Sequence, residues 1–285
     1  MNAIWFIAKQ TVRECRRRRV FLVVPIVTVG FLFLYGLGNY YAFEKVNGTT
    51  DLGDQLVNTR ALAGSTLVGL SMFTTLFLGA ALGIFLAFNT VRGDAETGVL
   101  QPLVVRPVAR SGLLLGRLLG ASMICCGYVG ALYVGSVLIT GAVGHWWPSP
   151  ALLPGLSLAG GVVIVIALTL LGSIFLSSLT NGIAMFMVYG AGLLAGLLGQ
   201  LGEVLNSPSL RNTGRVTSFI LPFEALYQAG LNSLTSGATG LTRVIVRLGP
   251  LGGAQAGGPL LVAWAAVYLA VVAALALFFF ARRDL

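Results

Sequence analysis

The sequence predicts an all-α integral membrane protein with six transmembrane helices and an interfacial helix ahead of the first. Three observations carry this. Only 9% of the 285 residues are charged and 56% are hydrophobic, with a mean hydropathy of +0.90. A soluble domain carries roughly 25% charged residues, so this chain has too little polar surface to cover a globule in water. Six apolar runs each reach the length needed to cross the hydrocarbon core as a helix, about 20 residues. Finally, the net charge of +9 comes from arginines gathered at the ends of those runs. That placement orients a membrane protein and does not point to nucleic acid.

The elements follow in order. Ile4, Trp5, Ile7 and Ala8, set among Lys9, Arg13 and Arg16, suit a helix lying on anionic lipid, and Trp5 favours this over a solvated basic tail. The run RRRRVFL at Arg16 to Leu22 superficially resembles a twin-arginine signal. The long amphipathic region before it, the full-length apolar run and the missing A-x-A site argue instead for an uncleaved first span, Val20 to Asn39. Tyr40 to Gly64 contains Glu44, Asp51, Asp54 and an N-G-T sequence, and reads as a polar loop. The second span is Ser65 to Phe88. The third, Leu113 to Val143, is over-long and has Arg117 near its start, so its membrane core begins near Leu118 while Arg117 snorkels to the interface.

His145 beside Trp146 and Trp147 reads as an interfacial aromatic belt. The fourth and fifth spans, Gly155 to Leu179 and Gly182 to Leu201, are parted only by Thr180 and Asn181, which predicts a tight helical hairpin. Residues 202–258 form a longer mixed segment. Within it, PFEALYQAGLNSL spaces Phe223, Leu226, Tyr227, Leu231 and Leu234 at helical intervals, suiting the outer membrane surface or a lid over the bundle. Pro250 and its neighbouring glycines make a flexible approach to the last span, Pro259 to Ala281. With no tandem repeat and no separate soluble domain, residues 1–285 read as one membrane domain.

Lysine and arginine counts set the orientation. Residues 1–19, the polar segment 89–112 with its continuation to Arg117, and the C-terminal Arg282 and Arg283 hold twelve; the other side holds six. The richer side faces the cytoplasm, with both termini inside.

Small residues supply the packing signal. Gly112, Gly116 and Gly120 share one helix face, and Gly79/Gly83 and Gly192/Gly196 repeat the spacing, which lets two backbones approach where lipid offers no hydrophobic drive. Such packing serves within or between subunits. The spans from residue 65 onward hold almost no ionisable residue apart from Arg117, and an ion-coupled secondary transporter usually needs one at mid-membrane. Hydroxyls such as Ser71, Thr75, Ser136, Thr140, Thr169, Ser173 and Tyr189 mostly satisfy backbone carbonyls.

Cys15, Cys125 and Cys126 form no metal-ligand spacing, and the adjacent pair inside an apolar run reads as buried thiols. There is no phosphate loop, since neither Lys9 nor Lys45 follows the required glycine pattern, and no nucleophile–base–acid set. A chain of this kind hydrolyses no ATP by itself. Driven transport would take its energy from a partner.

The polar segment Asn89 to Arg110 concentrates Arg92, Asp94, Glu96, Arg106 and Arg110 in a chain otherwise poor in charge. As an ordinary solvated loop it would carry topogenic arginines and nothing more. Its wider sequence, RGDAETGVLQPLVVRPVARSGLLLGRLLG from Arg92 to Gly120, resembles the signature of the ABC-2 family of ABC-transporter permeases. The matching residues are Glu96, Gly98, Val99, Leu100, Leu103, Pro107, Val108, Ala109, Arg110, Leu115, Gly116 and Arg117. Val99, Ala109 and Arg117 stand where the pattern has threonine, serine and lysine, and Pro102 shortens or kinks any helix through the loop. The ending FFFARRDL, Phe278 to Leu285, is similar to the family's F-x-R-R-D-L terminus. Within the family the chain is similar to the copper-processing and general export permeases of the NosY type.

The resemblance implies a permease subunit of an ATP-driven exporter in a prokaryotic inner membrane, working as two copies with two separate ABC ATPase subunits. ATP and Mg would bind those ATPases; no cofactor is implied in this chain. Residues 89–112 would hold a cytoplasmic coupling helix docking into the ATPase, and the N-terminal helix would be the family's elbow. Asp94 and Glu96 would lie near a helix N-terminus, where the dipole favours them, with Thr97, Gly98, Leu100, Leu103 and Pro107 shaping an apolar contact. Arg92, Arg106 and Arg110 would meet partner carboxylates or lipid phosphate. The competing classes are a partner-independent channel or secondary carrier and a non-transporting membrane scaffold. An apolar bundle bearing hydroxyls would suit a lipid-like or amphipathic substrate.

Overall fold

A computed structural model describes residues 3–17, 20–48, 59–88, 110–148, 150–235 and 257–282. The described residues form nine helices and no strand: α1 (Ala3–Arg17), α2 (Val20–Gly48), α3 (Thr59–Ala87), α4 (Arg110–Gly144), α5 (Leu152–Phe175), α6 (Ser178–Val204), α7 (Pro208–Ile220), α8 (Pro222–Thr235) and α9 (Pro259–Arg282). Six of them, α2 to α6 and α9, are long and apolar enough to cross a membrane. Helices are what the bilayer core permits, because each backbone N–H and C=O must find its partner within the segment.

α5 is the axis of the bundle. It packs on α3, α4, α6, α8 and α9. Its 24 residues reach about 36 Å, and no charged side chain interrupts them. Leu158, Val162, Ile166 and Leu170 recur one turn apart on its buried face and join Met72, Leu76 and Ile84 of α3 and Cys125 and Val129 of α4 in the main core. α2 and α9 form the flanks, with Val23, Ile26, Phe33 and Leu34 exposed on one and Leu260, Val262, Val267 and Val271 on the other. Those faces suit hydrocarbon.

Glycine seats set the close approaches. A Cβ on Gly79 would lie 2.5 Å from Val129 and 3.0 Å from Val162; one on Gly83 would lie 2.7 Å from Ile166. The Gly79/Gly83 pair therefore lets α3 bed against α4 and α5 of the same chain. Gly120 does the same for α1, where a Cβ would lie 2.8 Å from Thr11 and 3.0 Å from the Ala8 carbonyl. Gly112 and Gly116 are buried on the same helix. α1 rests Ile7 and Ala8 against the bundle and leaves Trp5, Phe6 and Val12 exposed, the division expected of a helix lying in an interface.

Hydroxyls behave mainly as backbone partners. Thr140 donates to the Ser136 carbonyl at 3.0 Å, Thr169 to Val165 at 2.7 Å and Ser173 to Leu170 at 2.7 Å. Tyr35 and Thr140 instead join two helices, sharing a 2.7 Å bond between α2 and α4, while the Asn39 amide donates within α2 to the Tyr35 carbonyl at 2.8 Å. Cys125 is a buried thiol and Cys126 a half-buried one.

Two boundaries differ from expectation. The polar loop expected over Tyr40 to Gly64 is helical at both ends, because α2 continues to Gly48 and α3 begins at Thr59. Burial of Asn39 and Phe43 explains the extension: Phe43 packs its ring against Gly144, carrying α2 past its apolar run. Near the same end, Trp146 packs on Gly64 and Trp147 on Gly141, while His145 takes a left-handed φ of 50° at the close of α4.

The glycine seats predict a graded response. Gly79→Ala and Gly83→Ala should each lower the stability of the detergent-solubilised chain by roughly 1–3 kcal/mol through overpacking. Gly127→Ala, whose Cβ would meet nothing within 4 Å, should be neutral or slightly stabilising. Thermal unfolding of the three variants checks this, and equal effects at all three would contradict the packing account.

Candidate functional site

The segment between α3 and α4 is mounted on one end of the bundle, and the mount is described on both sides. α3 leaves its last turn at Phe88, whose backbone N–H donates to the Ile84 carbonyl at 2.8 Å. α4 resumes at Arg110. Leu114 of α4, Ile174 of α5 and Ala276 and Phe280 of α9 form a second small core there. α1 lies across α4 at Gly120. The same end carries Lys9, Arg13, Arg117 and Arg282, with the Arg282 guanidinium 4.1 Å from the centre of the Phe278 ring. Basic side chains thus gather at the end of the bundle where α3 ends and α4 begins.

The turn from α5 to α6 completes this end. Residues 176–177 separate the helices, and Ser177 accepts at its carbonyl from the Asn181 backbone N–H at 2.8 Å. The Asn181 side-chain amide donates to the Thr169 carbonyl at 3.0 Å and to the Phe88 carbonyl at 3.3 Å. Asn181 is fully buried, and Gly172 on the facing turn of α5 is the residue that leaves room for its Oδ1.

A second polar centre lies further along α6. α7 runs back along α6, with Gly214 beside Gly199, until the turn at Leu221 reaches Gly192. α8 then returns along α5, its Phe223 carbonyl 3.2 Å from a Cβ position on Gly161 and Leu231 against Gly69 of α3. The two helices form a hairpin in which α8 is inserted among α3, α5 and α6, while α7 lies along α6 with only Gly214 buried. At its base, Phe223 seats on Gly192, stacked 5.6 Å from Tyr189, and Glu224 seats on Gly196. The Gly192/Gly196 spacing therefore receives a hairpin of the same chain.

Glu224 is 2% exposed. Its Oε1 accepts from the Gln228 amide at 2.8 Å and its Oε2 from the Ser218 hydroxyl at 3.0 Å. The hydroxyls of Tyr189 and Tyr227 and Oε1 of Gln228 make no hydrogen bond among the described residues. Glu224 lies outside the six spanning segments, and burial pushes its carboxyl above the ordinary carboxylate range, with Gln228 and Ser218 drawing it partly back. No group of three or more histidine, cysteine or acidic residues able to hold a metal ion occurs among the described residues.

A family model described as ABC-2 family transporter protein matches residues 5–285. The chain belongs to the ABC-2 family. A search among curated proteins finds no significant match. As an ABC-2 permease it is the membrane component of an ABC transporter, in a family that lacks a catalytic ATPase domain and partners with an ABC ATPase.

Of the site residues expected from sequence, Arg92, Asp94, Glu96, Thr97, Gly98, Leu100, Leu103 and Pro107 of the permease lie outside the described residues, as does the coupling helix expected there. Arg110 opens α4, its side chain likewise not described. Gly112, Gly116 and Gly120 are all buried, and Gly120 is the seat of α1. Two residues escaped the sequence reading. Asn181 looked like hairpin punctuation, though an amide in so apolar a run signals a buried partner. Glu224 lies in the segment expected on the outer membrane surface or as a lid over the bundle, whose Phe223, Leu226, Tyr227, Leu231 and Leu234 are buried within the bundle. Glu224 and Gln228, four residues apart, fall inside that buried arc.

The Glu224 carboxyl makes stability depend on pH in a definite direction. A folded-state pKa above the ordinary 4.5 means that its stabilising contribution is full below that value and is lost as pH rises through the folded value. Wild-type protein should lose thermal stability as pH is raised above 4.5, while Glu224→Gln should be flatter over the same range. A Glu224→Gln profile parallel to wild type would count against a neutral buried carboxyl.

Proposed function

We propose that two copies of this ABC-2 permease work with two ABC ATPase subunits as an ATP-driven exporter, with residues 89–110 as the contact through which nucleotide-driven movement enters the membrane. The observation that carries this is the mount itself. A charged segment outside the spans begins after Phe88, held by Asn181, and ends at α4, whose Leu114 joins a small core with α5 and α9, so force on it has packed elements to act on. Asp94 and Glu96 would favour a helix N-terminus, and Arg106 and Arg110 would meet partner carboxylates or lipid phosphate. The concentration of basic residues at this end supports a cytoplasmic location for it and for both termini, in the plasma membrane of a prokaryote.

The exposed apolar faces of α2 and α9 leave room for lipid and for a second copy. Similarity of the loop and tail to the NosY-like permeases supports an export direction. The largely apolar, hydroxyl-bearing interior suits a lipid-like or amphipathic substrate.

Charge reversal tests the contact. In complexes reconstituted with the ATPase, Glu96→Lys and Arg110→Glu should each reduce permease-stimulated ATP turnover by about tenfold, a loss of about 1.4 kcal/mol of coupling. The fold should be unchanged by circular dichroism and thermal unfolding. Full partner binding and full stimulation in both variants would rule the contact out.

A further inference from the structure

Phe88, the last described residue before the polar segment, is held through its main chain and its ring. Its carbonyl accepts from the Asn181 amide at 3.3 Å. Its ring meets Phe85 edge to face at 6.1 Å, and a Cβ on Gly182 would lie 3.8 Å from it. The same Asn181 nitrogen donates to Thr169 of α5 at 3.0 Å. A primary amide carries two N–H donors, so both bonds form together, whereas a hydroxyl has one proton and an aliphatic side chain none.

Asn181 itself stands in the first turn of α6. One buried side chain therefore joins the exit of α3, the body of α5 and the start of α6. Sliding would strip the buried Asn181 amide of its acceptors, which is costly in so apolar a place, so the three should shift together and not slide past one another.

We infer that Asn181 is a positioning residue that ties the root of the partner-contacting segment to α6, so that movement imposed on residues 89–110 is carried along α6 to the α7–α8 hairpin. This rests on the reading of residues 89–110 as the ATPase contact. The far end of the route is the seat of the hairpin on α6. Gly192 and Gly196, about 17–23 Å along α6 from Asn181 at 1.5 Å per residue, seat Phe223 and Glu224. The occupant of the α5 face opposite Asn181 is equally constrained: Gly172 has no side chain to push the amide aside, and any Cβ there would collide with Oδ1.

The test uses the permease reconstituted with its ATPase in liposomes, its three cysteines replaced. Spin labels are placed at two exposed positions, Leu152 at the start of α5 and Val216 on α7. In the parent protein, trapping with ATP and vanadate should change the distance between the labels. Asn181→Leu should abolish that change and lower stimulated ATP turnover roughly fivefold, with partner binding retained. Gly172→Ala, which displaces the amide without altering it, should reproduce the loss, and Gly182→Ala, which adds only an ordinary contact to Phe88, should not.

Retention of the distance change in folded Asn181→Leu overturns the inference. Should Asn181→Leu fail to fold, Gly172→Ala decides in its place, and a normal distance change there overturns the inference equally. The two readings separate cleanly. If Glu96→Lys and Arg110→Glu leave stimulation intact, the contact assignment fails. If they abolish it while the Asn181 and Gly172 variants behave as the parent, Asn181 alone is wrong.

Discussion

Close backbone approach against α5 is the constraint on which the rest of this protein depends. In lipid, apolar side chains gain little by leaving one apolar neighbour for another, so helices cohere through van der Waals fit and a few internal polar bonds. α5 meets this demand with small residues on itself and on its neighbours. Gly83 brings α3 onto Ile166, Gly161 admits the backbone of α8, and Gly172 admits the amide of Asn181. Each seat lies at a different height, so α5 fixes the relative heights of its neighbours as well as their separation.

That arrangement separates two kinds of element. α3 and α5 are packed on most of their surface and hold the core. α2, α9 and much of α6 keep apolar faces outward, available to lipid or to another subunit. Most buried hydroxyls bond the backbone of their own helix, and a few polar groups join elements: Tyr35 with Thr140 between α2 and α4, Asn181 among α3, α5 and α6, and Glu224 with Ser218 and Gln228 between α7 and α8. Each such join ties its elements by a bond that is costly to lose in so apolar a setting.

Glu224 sharpens the electrostatic picture. The spans themselves are nearly free of ionisable groups, yet a carboxyl enters the bundle on a helix that does not span. A carboxyl so enclosed keeps its proton more readily than one in water, because burial penalises the charge. It is held by two neutral donors, which satisfy its oxygens without supplying a counter-charge. The hairpin is thereby fastened to itself at its base, immediately above its glycine seats.

Much of this was legible in the sequence. Composition alone determined the class, because so few charged residues cannot solvate a globule. Run lengths determined six spans, since hydrocarbon thickness sets helix length, and the two-faced character of the N-terminal helix followed from Ile7 and Ala8 set against Lys9 and Arg13. The glycine spacings announced tight packing without naming the partner. Tertiary structure decided the rest. Whether Gly192 and Gly196 face a second copy or a hairpin of the same chain depends on where α7 and α8 go, and no local property of Pro222 to Leu234 distinguishes a helix lying on a membrane from one inserted between spans. Its apolar arc is the same in both. Asn181 became a join only when Phe88, far away in the chain, arrived beside it, because a hydrogen bond belongs to two positions in space and the sequence lists only one at a time.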